Sequence, residues 1–390
     1  MGIARRIEKI APSATLEITS LAKKMRQQGE AVVNFAAGEP DFDTPENIKQ
    51  AAIRAIKEGF TKYTPTSGWP ELKQAICQKF ARDNHLQYSS SQVIVTCGAK
   101  HALYELLQAL CESGDEVVLA SPYWVSYPEM INLSGATARL VQTSPENNFK
   151  LEKKALASQI TPKTKVLIIN SPSNPSGAVY SRRELEEITQ LALERGLYII
   201  SDEIYEKLIY DSQEHISCAS LNKEAKSRTI VVNGVSKSYA MTGWRIGYLA
   251  CADEQVIQGV SKLQDHSTSN PCSISQKAAM EALNGTSPAE IKKMVQEFQL
   301  RRDRMLKGLS EISRLSCVKP QGAFYVFCNI TQSGLDSAAF AQRLLQEAKV
   351  AAIPGRAFGR DDYVRFSFAT DLKQIEEGVQ RLKDWVARLS

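Results

Sequence analysis

The sequence predicts an α/β protein. A large domain with a mostly parallel central sheet flanked by helices is joined by a smaller α+β domain built from the N- and C-terminal segments. Three observations predict it. Short apolar, β-branched runs recur through the middle of the chain, separated by stretches with helical periodicity. That alternation is the pattern of parallel strands joined by crossover helices. The length, 390 residues, exceeds what one hydrophobic core usually serves. Towards the C-terminus the pattern changes to alternating runs that read as half-exposed strands.

Each element has a local reason. Thr44-Pro45 predicts a helix start, with Thr44 as cap and Pro45 in the first turn. Ile48, Ala51, Ala52, Ala55 and Ile56 follow at helical spacing, and Gly59 ends the helix. A second helix is expected from about Pro70 through Leu72, Ala75, Ile76 and Phe80. Residues 93–97 read as a strand feeding a helix that begins near Ala99. Further strands are expected at 116–120, 165–170, 197–201 and 229–232. Ser181 and Glu184 form a reciprocal capping box, and Ser287 with Glu290 reads as a second box. The latter should open a long helix along Ile291, Met294, Val295, Phe298, Met305 and Leu309. Residues 322–327 and 363–368 are the alternating strands of the smaller domain. The expected division is an N-terminal arm and part of the small domain over 1–45, a large domain over 46–286, and the connecting helix with the small domain over 287–390.

Composition narrows the class of function. Apolar residues make up 43% and charged residues 23%, ordinary for a water-soluble globular chain. The net charge of +5 comes from basic and acidic residues spread along the chain, with no basic block suited to nucleic acid. Eight cysteines are scattered without a Cys-x-x-Cys pair and only four histidines accompany them, so no metal site is expected. Unpaired cysteines suit a reducing compartment, and the first residues lack the apolar run of a signal peptide. No run of about 18 apolar residues occurs. A cytoplasmic location is expected.

Chemistry concentrates in Asn233-Gly-Val-Ser-Lys-Ser-Tyr-Ala-Met-Thr-Gly-Trp-Arg-Ile-Gly247, just beyond a strand. Lys237 supplies an amine able to condense with an aldehyde, while Ser236 and Arg245 can hold a phosphate beside it. A phosphorylated aldehyde suits that combination. Gly98-Ala-Lys-His-Ala-Leu103 opens a helix directly after a strand, where free backbone N–H groups and the helix dipole favour phosphate. Neither the dinucleotide nor the nucleoside-triphosphate glycine pattern occurs. Asp202 lies just past its strand, where ligands gather in a parallel sheet, although such a residue can equally cap a helix.

These segments resemble the fold-type I pyridoxal-phosphate aminotransferases, specifically the class I aspartate aminotransferase group in its bacterial and plant-plastid branch. The resemblance runs from Pro12-Ser-Ala-Thr15 to Arg365 and keeps the family's motif order. It implies that Lys237 holds the coenzyme aldehyde and then shuttles a proton, while Asp202 keeps the pyridine nitrogen protonated. Tyr205, in Ser201-Asp-Glu-Ile-Tyr205, and Asn174, in Asn170-Ser-Pro-Ser-Asn-Pro-Ser-Gly177, would hydrogen-bond the ring oxygen. Trp124, in Ser121-Pro-Tyr-Trp-Val-Ser-Tyr127, would stack on the ring. Phosphate would be held by Gly98, Ala99, Lys100, Ser236 and Arg245. Tyr63 would reach the phosphate of a neighbouring subunit, so a homodimer with active sites at its interface is implied.

On the substrate side the resemblance assigns the α-carboxylate to Arg365, in Val364-Arg-Phe-Ser-Phe368. The Gly38 backbone, in Ala36-Ala-Gly-Glu-Pro-Asp-Phe-Asp43, would approach the substrate, which Trp124 and Asn174 would also border. Lys100 with Thr15 would take a distal carboxylate. The implied reaction is reversible amino transfer between aspartate and 2-oxoglutarate; alternatives are prephenate amination to arogenate, or an aminotransferase for aromatic or other amino acids. A lyase would share the surroundings of Lys237. A regulator on this fold would carry a helix-turn-helix ahead of it, for which the resemblance, beginning about a dozen residues from Met1, leaves no room. Three places depart from family patterns. Gly234 stands where many relatives have a hydroxyl. Residues 264–270 lack the arginine of the animal-type branch. Ala11 stands where several prephenate-active members have lysine.

Overall fold

The computed structural model describes residues 2–389 apart from Lys9, Ser13, Thr286 and Ser287. The Ser287 capping box therefore lies partly outside the described residues; the long helix itself runs Pro288–Ser310. Seven strands form the main sheet, in the order Val93–Thr96, Gly247–Ala250, Thr229–Gly234, Tyr198–Asp202, Thr164–Asn170, Glu116–Ser121 and Thr137–Gln142. Neighbours are parallel except Gly247–Ala250, which runs antiparallel to both of its partners.

Side chains alternate across this sheet into two cores. Val117, Leu119, Val166 and Ile168 face the helices Ala99–Leu110 and Glu254–Asp265. Val118, Leu167 and Ile169 face the helix Arg182–Glu194, which starts with the expected Ser181–Glu184 box. Burial on both faces explains why these strands read as continuous apolar runs. Two strands of this sheet escaped the sequence reading, as did the two-residue strands of the smaller unit. Thr137–Gln142 is an edge strand whose side chains are mostly exposed or half-buried, and Gly247–Ala250 is only four residues long.

The ends of the chain meet in the smaller unit. Val33–Asn34 pairs in parallel with Val350–Ala351, and a four-stranded sheet has the order Ile353–Pro354, Tyr363–Ser367, Tyr325–Asn329, Ser316–Cys317. The expectation of half-exposed strands fails here. Val326, Cys328, Val364 and Phe366 enter one core, whereas Phe327 and Tyr363 stack in another with Phe149, so both faces are covered. Thr44 also departs from expectation. The helix Glu46–Lys57 has no side-chain cap, because Thr44 Oγ1 donates to the Ala240 carbonyl and accepts from Trp244 Nε1. That pair of bonds ties the N-terminal segment to the turn that follows Lys237. Among the described residues no helix is long and apolar enough to cross a membrane.

Candidate active site

One cleft, at the C-terminal ends of the parallel strands, gathers most of the expected residues. Thr15, Gly38, Ala99, Lys100, Trp124 and Asn174 line it together with Asp202, Tyr205, Ser236, Lys237, Arg245 and Arg365. Crevices beyond strand C-termini collect ligands because loops from several strands converge there. Gly98 lies just behind the lining. Tyr63 does not join it: its side chain is 91% exposed on this chain.

Close backbone approach builds the phosphate end. A Cβ on Gly98 would come within 2.5 Å of Arg245 Nη2, and one on Gly247 within 2.2 Å of the Ala99 nitrogen. Glycine at both places lets the Arg245 guanidinium lie against the first turn of the Ala99–Leu110 helix. Arg245 is left-handed at φ 55°, and its Nη1 donates to the Thr242 carbonyl at 2.9 Å. At Gly234, the departure from family pattern, a Cβ would sit 3.0 Å from the Ile246 carbonyl oxygen. A hydroxyl-bearing side chain would crowd the paired strand there, whereas Ser236 lines the cleft together with Arg245.

Asp202 closes the opposite wall. It is the last residue of its strand and is 4% exposed. Burial lifts its carboxyl from an ordinary 3.8 to about 6, against hydrogen bonds donated by the Tyr127 hydroxyl at 2.6 Å and the Ile204 amide at 3.2 Å. Tyr127 was missed by sequence reading. Its only signal was a position three residues after Trp124, just inside the helix Ser126–Ser134. Removing its hydroxyl should weaken but not abolish activity: Tyr127→Phe is expected to lower kcat about tenfold, and to move the acid limb of the pH–rate profile upward. An unchanged profile would separate Tyr127 from Asp202 protonation.

Lys237 follows the strand that ends at Gly234, and its Nζ donates to the Gly38 carbonyl at 2.5 Å. Burial draws its amine down to about 8; Glu39 opposes that shift, and Arg365, Arg245 and Lys100 add to it. Tyr205 shares a 2.9 Å hydrogen bond with Tyr325, a second residue missed from sequence. Arg365, expected on a half-wet strand, is 3% exposed. Its guanidinium lies 4.2 Å from the Tyr325 ring centroid and donates through Nη1 to Asn174 Oδ1 at 2.9 Å. Arg365 Nε is buried without a partner. Lys100 Nζ sits 4.9 Å from the Trp124 ring centroid, and burial lowers its pKa.

Four cations (Lys100, Lys237, Arg245, Arg365) face two carboxylates (Glu39, Asp202) across the cleft. The balance calls for anions at the arginines and a cation at Asp202. Pyridoxal phosphate fits that donor set: its phosphate suits Arg245, its protonated ring nitrogen suits Asp202, and its aldehyde suits Lys237. The Arg365 guanidinium, at the cleft wall, is of the kind that takes a carboxylate.

A fold and cleft of this kind define a coenzyme-dependent aminotransferase, and comparison with known proteins agrees. The family described as Aminotransferase class I and II matches residues 30–382, and the chain belongs to it. The protein is therefore a pyridoxal-phosphate enzyme. It is 48% identical over 389 residues to an aspartate aminotransferase of Bacillus sp. strain YM-2, covering 98% of this chain and 99% of that one. It is 47% identical over 392 residues to a probable aspartate/prephenate aminotransferase of Rickettsia prowazekii, covering 98% of each. Its fold matches the aspartate aminotransferase from Thermus thermophilus with maleate at a TM-score of 0.95 and 42% identity, over 98% of this chain and 99% of that one.

Proposed function

We propose that the protein transfers the amino group of aspartate to 2-oxoglutarate, reversibly, as a homodimer. The observation that carries this reading is the convergence of Lys237, Asp202 and Arg365 on one cleft with Lys100 further along it. When bound, pyridoxal phosphate supplies an electron-withdrawing ring for the amino group and α-carbon. In this proposal Asp202 holds a proton at the ring nitrogen, and Tyr205 with Asn174 holds the ring oxygen. Trp124 covers one ring face. Arg245, Ser236 and the helix start at Gly98, Ala99 and Lys100 hold the phosphate. Lys237 Nζ, once free, takes the proton from the substrate α-carbon and returns it on the other side of the transfer.

Arg365 takes the α-carboxylate, with Gly38 and Asn174 fixing the approach. Its bond to Asn174 and its aromatic neighbours hold the guanidinium in one plane, which favours a two-pronged grip. Lys100, with Thr15 at the same end of the cleft, provides charge for a second carboxylate. The names of the relatives support an acidic substrate: all three carry aspartate, and the Thermus protein was solved with maleate, a dicarboxylate.

Half-reaction spectroscopy tests the proposal. Aspartate and glutamate should convert the aldehyde form of the holoenzyme to the amine form far faster than alanine or tyrosine. Fast conversion by tyrosine alone would replace aspartate with an aromatic donor. Lys100→Ala should raise KM for aspartate about a hundredfold while leaving KM for an apolar amino acid within a few-fold. Equal effects on both would remove Lys100 from the distal carboxylate. The Rickettsia relative's name favours a second reading, prephenate as acceptor. Arogenate formation by the purified protein decides it. Tyr63, exposed on this chain, would reach the partner's phosphate; sedimentation giving the mass of one chain would exclude that arrangement.

A further inference from the structure

We propose that Cys317 and Cys328 are a two-thiol modification site that closes to a reversible disulfide at the root of the hairpin carrying Tyr325. They are Cα partners in register across two antiparallel strands. Residues directly opposite in such a pair project to the same face, and their Cα separation falls within the range that disulfides span. Their Cβ atoms, about 4.5–5.5 Å apart, must close by up to about 1 Å, a shift left to the two-residue edge strand. The Cys328 thiol donates to the Asn329 carbonyl at 3.7 Å, with Cys317 its neighbour across the strand pair.

Their environments differ in a way that assigns the order of attack. Cys317 is half-buried on a two-residue edge strand, whereas Cys328 is fully buried in the strand interior. A small disulfide can reach Cys317 but not the enclosed Cys328, so Cys317 reacts first. Burial, with Cys317 as neighbour, raises the Cys328 thiol well above the usual range, which makes its attack the slow step. The co-reactant is a small-molecule disulfide. The Cys317 thiolate attacks one of its sulfurs and releases the first small thiolate. The Cys328 thiolate then attacks the Cys317 sulfur and releases the second. Two protein thiols are oxidised, one small disulfide is reduced to two thiols, and the two protons leave on those thiols.

The link would tie down a segment joined to the cleft. The Gln321 and Gly322 amides both donate to the Gly177 carbonyl at 2.9 Å, docking the hairpin tip on the turn that carries Asn174. Cys328 follows Phe327, which pairs in register with Arg365, and lies three residues beyond Tyr325. Oxidation would thus fasten the edge strand Ser316–Cys317 to the strand Tyr325–Asn329, whose other edge pairs with the strand of Arg365.

The test treats holoenzyme with oxidised glutathione, alkylates the remaining thiols and maps the peptides by mass. The expected result is a peptide joining Cys317 to Cys328, lighter by two hydrogens and restored by dithiothreitol. The holoenzyme Tm should rise by a few degrees in the same sample and fall back on reduction. Cys317→Ser, at the edge strand, should abolish both effects; Cys328→Ser is avoided because its site is sealed. The proposal is overturned if Cys317 and Cys328 stay alkylatable while exposed Cys272 becomes glutathionylated. It is equally overturned if Cys317 accumulates as the mixed disulfide with Cys328 free, or if Cys97 joins Cys272 instead.

Discussion

Replacing Lys237 by alanine is expected to lower kcat/KM for aspartate about ten-thousand-fold or more, the largest single effect in this protein. Two functions disappear together. The amine that fixes the coenzyme is lost, and so is the base within reach of the α-proton, a loss worth about 10²- to 10⁴-fold alone. Surroundings remain intact: among the described residues Lys237 donates only to the Gly38 carbonyl, and Gly38 is exposed. Borohydride should attach the coenzyme to Lys237 in the native protein and to no residue in the variant. An added small primary amine should recover part of the rate, because the space of the missing side chain opens into the cleft. Retention of more than about one percent of activity would assign the proton transfer elsewhere.

Asp202→Asn is expected to cost about a thousandfold in kcat while leaving the fold intact. Asparagine keeps the size and the contact to Tyr127 but has no charge to hold a proton on the ring nitrogen. A second consequence concerns the coenzyme-free protein. Its Asp202 carboxyl titrates near 6 when folded and near 3.8 when unfolded, so folding favours the protonated form. The stability tied to that proton is complete below about pH 4 and is lost as pH rises through 6, on the order of 3 kcal/mol. Denaturant titrations of coenzyme-free protein should therefore show native stability falling from this group between pH 4 and 6.5. Asp202→Asn should flatten that component. A slope unaltered by the substitution would place the proton on another group.

Much of the architecture was legible because it is local. Strands buried on both faces spell themselves as apolar runs, and the Ser181–Glu184 box marks its helix start without reference to anything distant. Strands that rely on one neighbour were harder. Thr137–Gln142 shows mixed polarity because one face is wet, and the strand of Arg365 passed for half-exposed because its second core comes from distant segments such as Phe149. Thr44 read as a cap, yet its hydroxyl bonds to Ala240, 196 residues away.

The site divides along the same line. Lys237, Ser236 and Arg245 announce their chemistry by type and spacing and Asp202 by its strand end, whereas Arg365, in mid-strand, needed the family resemblance; all could be chosen from the chain alone. Tyr127 and Tyr325 could not, since each matters only through a partner 75 or 120 residues distant. Residue order established which functional groups were present and which strand end would carry each. Folding decided how those groups alter one another. An Asp202 carboxyl near 6 and a Lys237 amine near 8 arise from lost hydration and neighbouring charges. Both depend on three-dimensional proximity, which no stretch of sequence contains.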